Sequence, residues 1–128
     1  MRDTSLPKKE RLRSKRIIDH LFSEGRSLFR HPIKLVYTSV EDGDAPVQFA
    51  VSVPKRLHRL ATTRNTLKRR IREAYRKNKI SLPNQSHEKS VHFVCMYIYV
   101  GKEIADYHKI ERAMRFLNRE AAKKFNLI

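Results

Sequence analysis

Val47-Gln-Phe-Ala-Val-Ser-Val-Pro-Lys-Arg56, followed after seven residues by Arg64-Asn-Thr-Leu-Lys-Arg-Arg-Ile-Arg-Glu-Ala-Tyr-Arg-Lys77, is where the chain changes its apolar period. In the first part Val47, Phe49, Val51 and Val53 alternate with smaller or polar residues, which is the period-two pattern of a strand with one face buried. Pro54 ends that run, because proline cannot donate to a sheet ladder. In the second part Leu67, Ile71, Ala74 and Tyr75 fall on one arc of a helical wheel, and Asn65, Lys68, Arg69, Arg72 and Arg76 fall on a neighbouring one. A strand thus runs directly into an amphipathic helix, with Thr62 and Thr63 as candidate N-caps and a helix expected from Arg64 to about Lys79.

Upstream, Ile33, Leu35 and Tyr37 alternate as a further strand, and Glu41-Asp-Gly-Asp-Ala-Pro46 between the two runs reads as a hairpin turn. Ser14 is placed to N-cap a first helix on which Ile17, Ile18, Leu21 and Phe22 share a face, and Gly25 supplies its stop. Downstream, Val91 to Val100 is almost continuously apolar and aromatic, as a strand buried on both faces would be. A last helix starts near Asp106, with Ile110, Ala113, Met114, Leu117 and Ala121 at helical spacing. Residues 81–90, with Pro83, Asn84 and Gln85, read as a loop. The expected architecture is α+β, a two-layer sandwich in the order αβββαβα, formed by residues 1–128 as one domain. Residues 1–13 show charge without periodicity and are expected to be a flexible basic segment.

Charge narrows the possible partners. The chain carries a formal net charge of +16, which favours polyanions. Residues 1–16 hold seven Lys or Arg against two acids, and residues 55–80 hold eleven against one, so the remaining 86 residues sum to only +1. Two binding segments on a nearly neutral fold are implied. The longest apolar run, Val94 to Val100, is far short of the roughly 20 residues that span a bilayer. No membrane partner and no export signal are therefore expected. One cysteine, Cys95, allows no intramolecular disulfide and suits a reducing cytoplasm.

The basic helix decides between a solvated face and a binding face. Asn65, Arg69, Arg72 and Arg76 form a stripe of about three turns, roughly 16 Å long at 1.5 Å per residue. A solvated face mixes signs to gain i,i+4 pairs, yet only Glu73 stands among these cations. Self-repulsion of this kind calls for a polyanion, and arginine's planar fork can both chelate phosphate and stack on bases.

Catalytic machinery is not legible. Histidines 20, 31, 58, 87, 92 and 108 lack close ligand spacing, and Asp42 and Asp44 fit a solvated turn better than a Mg²⁺ site. Cys95 lies in an apolar strand, as inert packing would. No catalytic residue and no metal site are expected in the protein.

Ala61-Thr-Thr-Arg-Asn-Thr-Leu-Lys-Arg-Arg-Ile-Arg-Glu-Ala-Tyr75 resembles the Arg-Asn-Arg signature helix of the protein component of bacterial ribonuclease P. The resemblance extends to Val51-Ser-Val-Pro-Lys-Arg56 and to Arg11-Leu-Arg-Ser-Lys15 with Phe22 and Gly25, and covers most of residues 7–78. Two positions depart from it: Thr66 replaces the third residue of the triplet, and Ile18 stands where the family commonly has an aromatic. The resemblance implies a left-handed βαβ crossover, against the general handedness rule. It also implies two RNA surfaces. Lys55, Arg56, Arg64, Asn65, Lys68, Arg69, Arg72 and Arg76 would face the catalytic RNA, with no obligate protein partner. Ile18, Phe22, Tyr37 and Ser52 would line a cleft for the single-stranded 5′ leader of precursor tRNA, although Phe22 and Tyr37 fit the core as well as a cleft. Hydrolysis would belong to the RNA and its Mg²⁺. A structural RNA-binding protein and a protein-only nuclease are the rival readings.

Overall fold

The computed structural model describes residues 7–41, 45–80 and 92–126. A short 3-10 turn, Lys8–Glu10, precedes helix α1, Lys15–Glu24. Strands β1 (Arg26–Arg30), β2 (Ile33–Val40) and β3 (Val47–Ser52) follow, then helix α2 (Ala61–Lys77), strand β4 (His92–Tyr99) and helix α3 (Tyr107–Asn126). The fold is α+β around one four-stranded sheet in the order β1-β2-β4-β3.

Strand order corrects the expected hairpin. β2 and β3 do not pair: β4 lies between them, antiparallel to β2 and parallel to β3. The reason lies in composition. Phe93, Val94, Cys95, Met96, Tyr97 and Tyr99 are all buried, and a strand apolar on both faces gains most from the centre of the sheet. Asp42 and Asp44, at the tip of the expected turn, and the expected 81–90 loop lie outside the described residues.

Alternation divides the sheet into two faces. Ile33, Leu35, Tyr37, Phe49, Phe93, Cys95, Tyr97 and Tyr99 pack against Leu67, Ile71 and Tyr75 of α2 and Ile110, Met114 and Leu117 of α3, forming the principal sandwich. The opposite face is covered in part by α1, through Ile17 and Leu21 against Val36, Val94 and Met96. Polar ties fix the principal layer: the Tyr97 hydroxyl donates to Asn118 Oδ1 at 2.5 Å, and the Asn118 amide donates to the Asn78 carbonyl at 2.6 Å. One strand and two helices are thereby joined through a single buried asparagine.

Helix α1 begins as expected, with the Ser14 hydroxyl accepting from the Ile17 backbone N–H at 3.3 Å. Gly25 ends it for want of space and not through a left-handed turn, since its φ is −73°. A Cβ there would sit 2.2 Å from the Leu21 carbonyl oxygen and 2.9 Å from Val36 Cγ1. Helix α2 starts earlier than Arg64 and ends before Lys79: Leu60 is its N-cap, without a side-chain cap bond, and Thr62 and Thr63 lie inside it.

The N-terminal segment, expected to be loose up to Arg13, is docked from Lys8 onward. The Leu12 N–H donates to the Phe49 carbonyl at 2.7 Å, Arg11 bridges Phe49 in parallel, and the Gln48 amide donates to the Lys9 carbonyl. Lys79 pairs with Glu10 at 3.0 Å, tying this segment to the chain that leaves α2. Leu12, buried to 5% exposure, supplies the apolar anchor.

Candidate nucleic-acid interface

Helix α2 is held by Leu67, Ile71, Ala74 and Tyr75, each almost fully buried, and Tyr75 stacks on Phe49 with ring centroids 3.9 Å apart. That anchoring determines which side chains are left outside. Asn65, Arg69 and Arg72 are exposed, and Lys68 is half-buried beside them. Lys55 and Arg56 are exposed on the turn after β3, where the N–H groups of Leu57 and His58 both return to the Pro54 carbonyl. The turn and the helix face thus follow one another along the chain, and both expose basic side chains.

Two expected contact residues are engaged within the protein. Nη1 of Arg64 donates to the carbonyls of His58 at 3.0 Å and Arg59 at 2.7 Å, so it braces the loop leading into α2. Arg76 donates to Glu73, with Nε 3.1 Å from Oε2, and this bond holds the Glu73 carboxyl below its ordinary pKa. Thr66, the departure from the signature triplet, donates its hydroxyl to the Thr62 carbonyl at 3.0 Å. Arg70, absent from the sequence-based set, braces the other side by donating to the Ala105 carbonyl at 2.7 Å. His58 completes the frame: it is buried, and its Nε2 lies 2.8 Å from the Gly101 carbonyl oxygen.

On the opposite face of the sheet, Ile18 is half-buried against the α1 cluster, Phe22 is 57% exposed, and Ser52 is half-buried on β3. Tyr37 does not join them. It is 2% exposed and stacks on Phe93 at 5.7 Å in the principal core, because the same parity that aligns it with Ile33 and Leu35 points it toward α3. Burial raises the pKa of its hydroxyl, with Arg26 opposing. Val36 is its α1-facing neighbour.

A basic groove of about 400 Å³ lies beside the start of α1, lined by Lys8, Lys9, Arg11 and Arg13 with Ser14, Ile17 and Gln48. Sequence reasoning gave these cations a binding role but no fixed place; the apolar Leu12 in their midst was the available signal of docking. Among the described residues no three of His, Cys, Asp or Glu come together to hold a metal ion. Nor, among them, is any helix long and apolar enough to cross a membrane.

Known proteins are similar to this chain in sequence and in fold. Residues 6–122 match the Ribonuclease P family. The Ribonuclease P protein component of Porphyromonas gingivalis is 36% identical over 111 residues, covering 86% of this chain and 81% of that protein. That of Chlorobium phaeobacteroides is 34% identical over 106 residues, covering 76% and 73% respectively. Among solved structures, the RNase P protein from Thermotoga maritima superposes with a TM-score of 0.65 at 28% identity, covering 86% of this chain and 96% of that one. The Staphylococcus aureus RNase P protein shares the fold, with a TM-score of 0.63 at 18% identity over 92% and 93% of the two chains. A fold, a basic helix and a sequence match over nearly the whole length coincide, and the chain belongs to the ribonuclease P protein family.

Proposed function

We propose that this chain, a protein subunit of ribonuclease P in tRNA processing, engages the catalytic RNA through Lys55, Arg56, Asn65, Lys68, Arg69 and Arg72, and holds the single-stranded 5′ leader of precursor tRNA on the α1 side of the sheet. The observation that carries the first part is the division of α2: one face is fully buried, while the outer face presents Asn65, Arg69 and Arg72 with no acid in its stripe. Each phosphate neutralised there releases condensed counterions, and the resulting affinity is steeply salt-dependent. Arg64 acts as a positioning residue, fixing the loop that carries Arg56 into α2.

Phe22, Ile18 and Ser52 support the leader-binding role. An exposed phenylalanine gives little to stability, whereas a base stacked on it gains roughly 1 to 3 kcal/mol. Within this reading the hydrolysis belongs to the RNA and its Mg²⁺; the protein adds substrate affinity and relieves phosphate repulsion near the metal ions.

Reconstitution tests this. The protein combined with a ribonuclease P RNA and a precursor tRNA at low Mg²⁺ should increase cleavage at the mature 5′ end. RNA binding with no gain in cleavage would indicate a structural RNA-binding protein, and cleavage by the protein without RNA would indicate a nuclease.

A further inference from the structure

Phe29 is 59% exposed on strand β1, as exposed as Phe22, and it packs into neither core cluster. Its place in the sheet is set by register. Phe29 stands opposite Lys34, Lys34 opposite Ile98, and Ile98 opposite Ser52. These four residues form one row across all four strands, about 14 Å from end to end at the usual strand spacing. The row lies on the α1 face, since Lys34 and Ile98 alternate with the core-facing Ile33, Leu35, Tyr97 and Tyr99. In the neighbouring row Val36 and Met96 are buried under α1, but here Lys34 is exposed and Ile98 and Ser52 only half-buried. The row also occupies the end of the sheet from which Lys55 and Arg56 emerge after β3.

We propose that Phe29 is a second stacking platform, reached through Ile98 and Lys34, on which a leader nucleotide is held across the sheet from the Ser52 side of the cleft. The inference rests on the reading that the α1 side of the sheet holds the leader. The chemistry favours single-stranded RNA. An exposed phenyl ring offers a face to a base, the adjacent Lys34 ammonium offers a charge to its phosphate, and the row contains no acid to repel the backbone. His31, edge-on to Phe29 with ring centroids 6.5 Å apart, adds an aromatic wall at the same edge. Duplex RNA keeps its base faces stacked and would leave the ring unused.

The test uses the holoenzyme assembled with the catalytic RNA, and substrates whose leaders are lengthened one nucleotide at a time. Phe29→Ala should weaken substrate binding about 5- to 100-fold for long leaders and leave the shortest leaders unaffected, while Phe29→Tyr retains most of the affinity. Melting temperature should not change in either variant, because the ring is outside the core. If Phe22→Ala loses affinity for long leaders and Phe29→Ala does not, the cleft reading stands and the platform is overturned. A loss independent of leader length would also overturn it, by assigning Phe29 to another partner, such as a strand added along the β1 edge. If wild-type affinity ignores leader length and Phe22→Ala is neutral, the leader reading itself falls, and the platform with it.

Discussion

The guanidinium of Arg64 lies 2.7 Å from the carbonyl oxygen of Arg59, five residues earlier, and the same nitrogen reaches the His58 carbonyl at 3.0 Å. An arginine of the basic helix α2 is therefore occupied in holding its own loop. Arg64→Ala should lower stability by about 1 kcal/mol, roughly 3 to 5 °C in melting temperature, since the group is half-exposed and its bonds are partly screened. Its RNA affinity should fall with little change in salt dependence, and a slope change as large as that of an exposed arginine would refute the bracing role.

Arg69 and Arg72 should show the converse behaviour. Both are exposed, so alanine at either position should shift stability by less than about 0.5 kcal/mol. Binding to the catalytic RNA should weaken, and the log-log salt slope should become shallower by about 0.7 to 0.9 per lost phosphate contact. Titration at several salt concentrations reads both quantities, and an unchanged slope would mean that these side chains are solvated in the complex.

Gly25→Ala should destabilise the fold by about 1 to 3 kcal/mol, the usual cost of overpacking. The added methyl meets backbone at Leu21 and the side chain of Val36, and only the latter can give way. Denaturant unfolding measures this; a neutral substitution would show that α1 can move off the sheet at no cost.

Cys95 is fully buried, and burial pushes its thiol pKa up to about 12. Thiol reagents at pH 8 should therefore leave the native protein unlabelled and react within minutes once it is unfolded in guanidinium. Rapid labelling of the native protein would show that β4 opens locally.

Glu111 accepts from the Asn78 amide at 3.1 Å and from Arg115 at 3.0 Å, and these partners, Asn78 foremost, hold its carboxyl below the ordinary range. A carboxylate depressed in the folded state stabilises the fold above its unfolded pKa of about 4.3 and loses that contribution as pH falls through the folded value. Melting temperature should accordingly drop on acidification below about pH 4. Glu111→Gln should be less stable than wild type at pH 7 and show a shallower acid limb, and an identical limb would show that Glu111 does not contribute to it.

Much of the architecture was legible because periodicity is local. Ser14, Asp106 and the apolar arcs of α2 and α3 fall where the sequence put them, with Asp106 Oδ1 accepting from the Lys109 N–H at 2.9 Å. Strand partners were not legible in this way. The acidic stretch after β2 reads in sequence as a reversal of the chain, but the neighbour of β2 is decided by the apolar content of β4, more than 50 residues away in the register Val40 to His92. Helix α2 begins at Ala61 in place of Arg64 because the loop is secured by Arg64 reaching back, with no role for a threonine cap.

For the site, the outward face of α2 followed from the wheel, yet the cations engaged inside the protein did not. Arg64 and Arg70 look identical to Arg69 and Arg72 in sequence, and only the carbonyls of Arg59 and Ala105 distinguish them. Tyr37 and Phe29 show the same limit on strands. Alternation separates two faces, but which face receives α1 depends on packing that no local pattern records.

The central position of β4 has a consequence for how the protein is made. A nascent chain that has emerged only to residue 80 already carries every cation of α2, but none of Phe93, Cys95, Tyr97 or Tyr99, on which Leu67, Ile71 and Tyr75 close. Pairing of this kind between distant segments is slow to form and must wait for synthesis of the last third of the chain. Until then the cations of α2 lack the packed layer that fixes their positions in the finished fold. If α2 binds RNA as proposed, recognition waits until the final strand takes its place between its two neighbours, so the event that completes the sheet also sets the helix in position.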